Sequence, residues 1–446
     1  MPRRSDSLKI RARELCLADG LDPDSRIPKP GSERGMPAWC AYRDAARRER
    51  QRAEQASLRA ATETMRNAGN APLAIFGTHE PETIGQMRGC MSFGNVVGGV
   101  LAADGHLGYA QPVGGVIAYE NQISISGVGY DIACGNAAAR LDVPFHTIED
   151  RIGAIAKDIA RNISFGLGRT NDERVEHHLF DDTAAWAASG MEDYRGKAAG
   201  QLGTVGSGNH YVDLLRDEDG FVWIGVHFGS RGLGHTSATK YLKLAGGKEG
   251  INAAPALVDV DTDLGRAYLS AMELAGRYAY AGREWVIERV RKIIGGAVTR
   301  YTHNHHNFAW KERHGERDLW VVRKGATPAF PGQEGFVGGS MGDDAVILEG
   351  IESDKAQGAL YSTIHGAGRL FSRKDAKRRF TRAQMDDWVK ARGVTLIGAD
   401  LDESPMAYRR LPEVLAAHAD TVKVLHTLHP FVVVMAGPGA ADPFKD

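Results

Sequence analysis

Residues 127–140 read GVGYDIACGNAAAR and form the most informative stretch of the chain. Asp131 and Cys134 lie three residues apart on a glycine-rich turn, so both side chains can face one metal ion. A lone Asp-x-x-Cys is a weak signal, since a free cysteine is more often a small buried apolar residue. A thiolate beside a carboxylate suits Mn, Zn, Fe or Co better than Mg or Ca, which prefer oxygen ligands. The stretch therefore predicts a transition-metal site.

Three later segments carry histidines that can complete such a site: GSGNHYVD (206–213), VHFGSRGLGH (226–235) and HNHHN (303–307). A single histidine is more often satisfied in a protein core than bound to metal. His227, however, follows the apolar, strand-like run FVWIGV, and strand ends are common places for sites. HNHHN holds three histidines in four residues, which indicates metal binding, although only one or two can face the same ion.

Two further segments indicate that the chain handles phosphate. Ser230 and Arg231 lie between glycines and resemble an anion cradle. In HGAGR (365–369), His365 can attack a phosphoryl group while Arg369 neutralises the developing negative charge. The basic run RLFSRKDAKRRFTR begins at Arg369, and an electrostatic role with a polyanion is about as plausible for it as plain solvation.

Composition places the chain among ordinary globular proteins. It has 446 residues, 43% hydrophobic and 25% charged, and a formal net charge of -1 that does not indicate a partner. No apolar run approaches the roughly 18 residues of a membrane span, and no apolar core follows the basic start MPRRSDSLKI. Four cysteines without a Cys-x-x-Cys pair indicate reduced thiols. We therefore predict a soluble, cytoplasmic protein.

The chain is predicted to have two parts. Residues 1–70 hold a proline-rich irregular arm over 17–37 and a charged helix over 40–66, whose charges fit a solvated face better than nucleic-acid contact. Residues 71–446 alternate short strand-like runs with glycine turns, and helices are expected at about 147–162 and 262–292. This pattern predicts one large mixed domain of the α+β class with glycine-rich active-site loops.

Nine motifs, in order, resemble those of the RtcB family of RNA ligases. They are DGHLGYAQPVGGV, GVGYDIACG, GTVGSGNHYVDL, VHFGSRGLGH, HHN, RKGATPAFPG, GSMG, HGAGRLFSR and DESPMAYRRL. The resemblance covers roughly residues 85–437. It implies a GTP- and Mn-dependent ligase that joins RNA ending in a 2′,3′-cyclic phosphate or 3′-phosphate to RNA with a 5′-hydroxyl. In such enzymes a histidine takes GMP, passes it to the RNA 3′-phosphate, and the 5′-hydroxyl then displaces GMP.

The resemblance also implies roles for individual residues. His365 would be the guanylylated nucleophile. One Mn ion would be held by Asp131, Cys134 and His210, and a second by Cys134, His227 and His306, with the thiolate bridging. The expected nucleotide- and phosphate-binding residues are Asn209, Arg231, Lys324, Asn307, Ser340, Gly366, Ala367, Gly368 and Arg369.

The chain departs from the family pattern at three positions. Val322 stands where a histidine is usual, Ala133 where an asparagine is usual, and Met435 where a lysine is usual. These departures indicate a divergent member and leave the choice of nucleotide base open. The sequence also does not identify the natural RNA substrate or an activating protein partner. RNA repair is one interpretation, as opposed to tRNA splicing.

Two other functions are compatible with the motifs. A metal-dependent phosphatase or cyclic phosphodiesterase could use the same centre without nucleotide transfer, and it would form no nucleotide adduct on His365. A non-catalytic RNA-binding protein would bind RNA without needing metal.

Overall fold

The computed structural model describes residues 4–29, 32–46, 49 and 71–438. The chain divides into two compact units, Met1–Asn67 and Ala68–Asp446. Among the described residues, no helix is both long enough and apolar enough to cross a membrane.

The first unit contains helix α1 (Arg4–Ala18) and an antiparallel ribbon of β1 (Arg26–Lys29) and β2 (Ser32–Pro37). The prediction of an irregular arm is therefore wrong for residues 26–29 and 32–37. Prolines are tolerated here because both strands of a two-stranded ribbon are edge strands, on which a missing N–H can face solvent. A short 3-10 helix follows at Ala38–Tyr42. Most of the predicted charged helix over 40–66 lies outside the described residues.

The second unit mixes strands and helices, which confirms the predicted α+β class. Its strands are β3 (Leu73–Ile75), β4 (Val96–His106), β5 (Val113–Tyr119), β6 (Gln122–Ser124), β7 (Gly135–Pro144), β8 (Tyr211–Arg216), β9 (Phe221–His227), β10 (Leu257–Asp259), β11 (Val298–His305), β12 (Asn307–His314), β13 (Arg317–Lys324), β14 (Ala326–Pro328), β15 (Glu334–Val337), β16 (Ala345–Gly350), β17 (Ser362–Ile364), β18 (Thr395–Ile397) and β19 (Val422–Met435). Its helices are α2 (Pro81–Met91), α3 (Ile125–Val128), α4 (Ile152–Asn162), α5 (Thr183–Ala188), α6 (Arg195–Gln201), α7 (Arg231–Leu244), α8 (Asp263–Ile294), α9 (Asp354–Gly358), α10 (Arg373–Arg379), α11 (Arg382–Ala391) and α12 (Leu411–Ala416).

Two sheets organise this unit. The larger has eight strands in the order β11-β7-β9-β8-β19-β16-β15, with β18 added in parallel beside β19. The smaller has five strands in the order β12-β13-β5-β4-β3, and two ribbons, β10-β6 and β14-β17, complete the strand pairing. Most neighbours on the larger sheet are antiparallel, so strands that run in opposite directions begin and end at the same edge.

Helix α8 supports the larger sheet from one side. It begins at the N-cap Thr262, whose side chain accepts a hydrogen bond from the Gly265 N–H, and ends before Gly295 at φ 98°. Side chains four residues apart, including Val286, Val290 and Ile294, pack in one apolar cluster with α4 and strands of the sheet. The helices predicted near 147–162 and 262–292 are thus confirmed as α4 and α8.

The strand order brings four histidine- or cysteine-bearing segments to one edge of the larger sheet. Cys134 directly precedes β7, His210 directly precedes β8, and His227 is the last residue of β9. Both β7 and β8 pair antiparallel with β9, so their first residues lie opposite its end. Strand β11 ends opposite the start of β7, one residue before His306. The pairing register of the strands therefore brings together residues up to 172 positions apart, Cys134 and His306.

Candidate metal centre and adjoining histidine

The five predicted metal ligands form two groups that share Cys134. One group is Cys134, His227 and His306; the other is Asp131, Cys134 and His210, and within each group the ligand atoms lie within 4.8 Å of one another. The Cys134 Sγ lies 3.2 Å from the His227 Nε2 and 3.6 Å from the His210 Nε2. This arrangement suits two ions with a bridging thiolate.

The ring orientations of two histidines leave their Nε2 atoms facing the centre. The Nδ1–H of His210 donates to the Val205 carbonyl at 3.0 Å, and the Nδ1–H of His227 donates to the Asn209 carbonyl at 3.0 Å. A proton fixed on Nδ1 places the lone pair on Nε2, as is usual for metal-bound histidine. Backbone carbonyls thus select the tautomer that a metal needs.

Electrostatics agrees with a cation at this place. Burial lowers the pKa of His227 and His306 well below the usual value, so both rings are neutral. Their Nε2 atoms face each other at 3.3 Å, where His306, whose Nδ1 has no hydrogen-bond partner among the described residues, can donate an Nε2 proton to His227 or, with its proton on Nδ1, share a cation with it. Burial and the Asp131 carboxylate raise the pKa of the Cys134 thiol well above its usual value, so a thiolate here needs a bound ion.

The carboxylate of this centre is ionised. Burial alone would raise the pKa of Asp131, but the adjacent His210 ring and the positive charge of Arg231 outweigh burial and lower the pKa to about 2. The Asp131 Oδ2 lies 3.0 Å from the His210 Nε2. One carboxylate, one sulfur and three imidazoles make a donor set that fits Mn, Zn, Fe or Co, as the sequence predicts.

Only one histidine of HNHHN faces the centre. His303 and His305 instead accept hydrogen bonds from the guanidinium of Arg283, at 2.7 Å and 2.8 Å. Arg283 lies on α8 and is fully buried. Burial lowers its pKa to about 10, which still leaves the side chain charged at neutral pH. Of the three histidines, His306 is the one whose ring lies with the other predicted ligands, and its binding to an ion stays a prediction.

Arg283 also holds the two loops that carry the predicted metal ligands Cys134 and His227. Its Nη1 donates to the Ala133 carbonyl at 3.1 Å and to the Phe228 carbonyl at 2.6 Å. The first carbonyl directly precedes Cys134, and the second directly follows His227. Sequence reasoning missed this residue. The available signal was an arginine inside the apolar stripe of a long helix, because such a position is rarely charged without buried partners.

His365 is held by a buried carboxylate that the sequence analysis did not single out. Its Nδ1 lies 2.6 Å from the Oδ2 of Asp104, which also accepts the N–H groups of His365 at 3.0 Å and Gly366 at 3.3 Å. Burial opposes the charge on Asp104, but His365 outweighs it and lowers the pKa of the carboxyl. Asp104 is the first residue of the motif that begins DGHLGY. The sequence therefore marked this residue, but it did not indicate that Asp104 would bind His365.

His365 adjoins the metal centre. Its ring centroid lies 4.9 Å from that of His306. Because Nδ1 faces Asp104, Nε2 is the ring nitrogen available for reaction. Gly368, at φ 75°, keeps the HGAGR loop close, since a Cβ there would lie 2.3 Å from the Asp104 carbonyl oxygen. A Cβ on Gly325 would lie 3.1 Å from the His365 Cε1, so the RKGAT motif packs against the same ring.

The structure brings two of the predicted phosphate-binding side chains to the metal ligands. Arg231, the first residue of α7, places its Nη1 3.2 Å from the His210 ring. It lies so close to Gly206 that a Cβ there would be 1.8 Å from the guanidinium, which explains the glycine. Asn307 donates to the Asp131 carbonyl at 3.3 Å and accepts from the Gly325 N–H at 2.7 Å, so it ties two motifs together.

Other predicted phosphate-binding side chains meet protein groups. The buried Lys324 donates to the carbonyls of Tyr109 at 2.7 Å and Gln111 at 3.2 Å. Ser340 donates to Asp343. For Asn209 the site contact is the backbone carbonyl that accepts from His227.

Protein groups hold Arg369. Its guanidinium donates to Glu403 at 3.1 Å, to the Tyr408 hydroxyl at 2.7 Å, to the Asp402 carbonyl at 2.6 Å and to the Phe371 carbonyl at 3.1 Å. The side chain therefore has four protein acceptors in this structure, and its predicted role at the phosphoryl group stays a prediction. Ala367 between the loop glycines is buried.

The three residues that depart from the family pattern have the following local environments. Ala133 has φ 60°, a left-handed conformation that asparagine adopts more readily than alanine, and its N–H donates to the Asn307 carbonyl at 2.7 Å. Val322 is fully buried in β13. Met435, at the end of β19, packs in an apolar cluster with Met341 and Val433.

Comparison with known proteins shows which family the chain belongs to. Residues 86–436 match the family described as tRNA-splicing ligase RtcB. The chain belongs to the RtcB family. Among curated RtcB proteins, the RNA-splicing ligase RtcB of Escherichia coli is 30% identical in an alignment of 366 positions that covers 74% of this chain and 88% of that protein.

Two archaeal relatives give the same result. The tRNA-splicing ligase RtcB of Thermococcus kodakarensis is 31% identical over 398 residues, covering 71% of this chain and 82% of that protein. That of Pyrobaculum aerophilum is 32% identical over 409 residues, covering 72% and 83%. The RtcB match begins at residue 86 and so includes every motif named above.

Proposed function

We propose that this protein is an RNA ligase that uses GTP and Mn²⁺ to join RNA ending in a 2′,3′-cyclic phosphate or 3′-phosphate to RNA with a 5′-hydroxyl. The observation that carries the proposal is the position of His365, which is fixed by Asp104 on one ring nitrogen and lies against His306, a predicted metal ligand. Membership of the RtcB family and the names of its curated relatives support the same reaction.

The reaction would begin at the His365 Nε2. This nitrogen attacks the α-phosphorus of GTP, pyrophosphate leaves, and GMP is attached to the ring. Asp104 holds the proton on Nδ1 and stabilises the positive charge that develops on the imidazole. Because the same carboxylate binds two backbone N–H groups of the loop, the ring is oriented before the nucleotide arrives.

Nucleotide transfer to RNA would follow at the same place. An oxygen of the RNA 3′-phosphate attacks the phosphorus of the GMP and releases His365, and a cyclic phosphate must first be opened by water. The 5′-hydroxyl of the second RNA then attacks the 3′-phosphorus and GMP leaves. Arg231 lies where its guanidinium can bind phosphate oxygens beside His210.

Metal bound by the two ligand groups would supply positive charge to the phosphoryl oxygens in these displacements. The ligands would be Asp131, Cys134, His210, His227 and His306, and Mn²⁺ is our proposed ion. The rest of the predicted phosphate-binding set, including Asn307 and the HGAGR glycines, would shape the loops around the reacting phosphorus.

The proposal is tested by incubating purified protein with α-labelled GTP or ATP and Mn²⁺, followed by a denaturing gel. We expect label from GTP on the wild type and on a His429→Ala control, an exposed histidine paired with Asp344, and none on His365→Ala. Label from ATP instead would mean that Met435 and its surroundings select a different base. Absence of label with metal demonstrably bound would contradict the ligase and favour a phosphatase or cyclic phosphodiesterase.

A further inference from the structure

Basic residues that follow the HGAGR loop separate into an inner and an outer set. The inner set is neutralised by carboxylates: Arg369 and Arg373 pair with Glu403 at 3.1 Å and 2.7 Å, and Lys377 pairs with Asp400 at 2.7 Å. These contacts fix the loop and the start of α10 to the segment around residue 402. The inner set thus has a structural use in the folded chain.

The outer set is Lys374, Arg378 and Arg379, all exposed on α10. Arg378 approaches Asp375 only at 3.8 Å, one turn away on the surface, where such a pair contributes little. Within the part of the chain that the structure describes, no carboxylate lies within 4.0 Å of Lys374 or Arg379. Positions 374 and 378 are four residues apart and so lie on one face of the helix. Three positive charges are left for a ligand.

Apolar and aromatic groups accompany these charges. The guanidinium of Arg379 lies 4.5 Å from the centre of the Phe371 ring, and Leu370 is 55% exposed. Surfaces that bind single-stranded nucleic acid combine cations that contact the backbone with rings on which bases stack. An acidic protein segment would need the cations alone. The aromatic contact therefore favours a nucleic-acid strand.

The position of the outer set matches the site. Lys374 is nine residues after His365, and nine extended residues reach at most about 30 Å. The set therefore lies within several nucleotides of an RNA end that reacts at His365.

We propose that Lys374, Arg378 and Arg379, together with Phe371, form a surface that binds the backbone of single-stranded RNA next to the end being processed. The surface deepens the proposed function, on which it rests for the identity of the substrate. Binding to it needs neither nucleotide nor metal.

The test is the affinity of the full-length protein for a fluorescent 12-nucleotide RNA with a 3′-phosphate, measured by anisotropy without GTP or Mn²⁺ between 50 and 300 mM salt. A Lys374→Gln, Arg378→Gln, Arg379→Gln variant should bind about 100-fold more weakly at 0.1 M salt, because each single-strand phosphate contact changes the slope of log K against log salt by about 0.7. The slope should decrease by about 2.

A matched control comes from α4 and its N-cap residue Arg151, which together also carry three exposed positive residues with one i, i+3 pair, Arg161 to Asp158 at 3.3 Å. Its Arg151→Gln, Lys157→Gln, Arg161→Gln variant should bind as the wild type does. A charge-conserving variant, Lys374→Arg, Arg378→Lys, Arg379→Lys, should keep most of the affinity and the slope. It separates lost charge from misfolding.

Two results would overturn the surface: an unchanged affinity and slope in the glutamine variant of α10, or an equal loss in the α4 control. Nucleotide labelling of the wild type is scored separately. If the wild type takes no label, the ligase proposal fails while the RNA-binding comparison still decides whether the surface exists.

Discussion

His305 and His306 are consecutive residues that serve two different clusters. The ligand cluster, made of Asp131, Cys134, His210, His227 and His306, turns its donor atoms toward one another. The arginine cluster, made of Arg283, His303 and His305, turns two ring nitrogens toward a guanidinium. Burial lowers the pKa of every histidine in the arginine cluster and of His227 and His306, so neutral rings serve both purposes.

The two clusters differ in the group that their ring nitrogens face. The arginine cluster surrounds a guanidinium, while the ligand cluster brings together donor atoms for which we propose a metal ion. Successive side chains of a strand point to opposite faces, so adjacent positions at the end of β11 reach the two clusters. Histidines of one dense run can therefore serve different purposes, some in the scaffold and one in the candidate site.

The largest expected effect comes from removing the residue that both ligand groups share. Cys134→Ala should abolish binding of the bridged pair of ions and lower RNA joining by about 10³-fold, since each ion supplies several kcal/mol to a phosphoryl displacement. Metal content by mass spectrometry and joining rates measure this. Cys90→Ala is the control, because Cys90 is also buried but contacts the Ala110 carbonyl. Full metal content in Cys134→Ala would refute the bridging thiolate.

The arginine cluster is tested by Arg283→Met. Loss of the guanidinium leaves two carbonyls and two ring nitrogens buried without donors, so the free energy of unfolding should fall by about 3 kcal/mol. Urea unfolding followed by tryptophan fluorescence measures the change. Arg289→Met, on the exposed face of the same helix, should stay within about 0.5 kcal/mol of the wild type. Equal stability of the two variants would remove the scaffold role.

Asp104→Asn tests whether His365 depends on a partner of its own. The amide keeps the size of the side chain but loses the charge that orients the ring, so nucleotide labelling should fall by about 10- to 100-fold. Metal content should not change, because Asp104 lies outside both ligand groups. Asp142→Asn, an exposed carboxylate that accepts from the Ala297 N–H, serves as control. Labelling at the wild-type rate would show that the pair is only structural.

The smallest expected effect is on the folding stability at low pH. The pKa of Asp104 is lower folded than unfolded, so its stabilisation is present above about pH 4 and is lost as the pH falls below that value. The wild type should therefore lose more stability than Asp104→Asn between pH 5 and pH 2. Thermal melting of metal-free protein across this range measures the difference, and parallel curves for the two proteins would contradict it.

Much of the fold was predictable where the pattern is local. Helix α8 and strand β9 follow from apolar periodicity and from an apolar run that ends at His227. The ribbon over residues 26–37 was not predicted, because its prolines are usual in irregular segments and their tolerance depends on both strands being edges. The strand order was not predictable, since β19 joins β8 from more than 200 residues away.

The candidate site shows the same division. The ligand residues are recognisable in the sequence because their types and motifs are rare, and the structure groups their donor atoms; metal binding there stays a prediction. Asp104 and Arg283 were missed because their roles come from partners far along the chain. Arg369 was predicted to bind phosphate from the HGAGR motif, but that motif does not show its acceptors near residue 403.

The most direct test of the account is a joining reaction with two labelled RNAs, one ending in a 3′-phosphate and one beginning with a 5′-hydroxyl, in the presence of GTP and Mn²⁺. We predict a joined product whose junction contains the original 3′-phosphate, no product when the first RNA ends in a 3′-hydroxyl, and no product with His365→Ala. Release of free phosphate without joining, from wild type with bound metal, would contradict the ligase and identify the centre as hydrolytic.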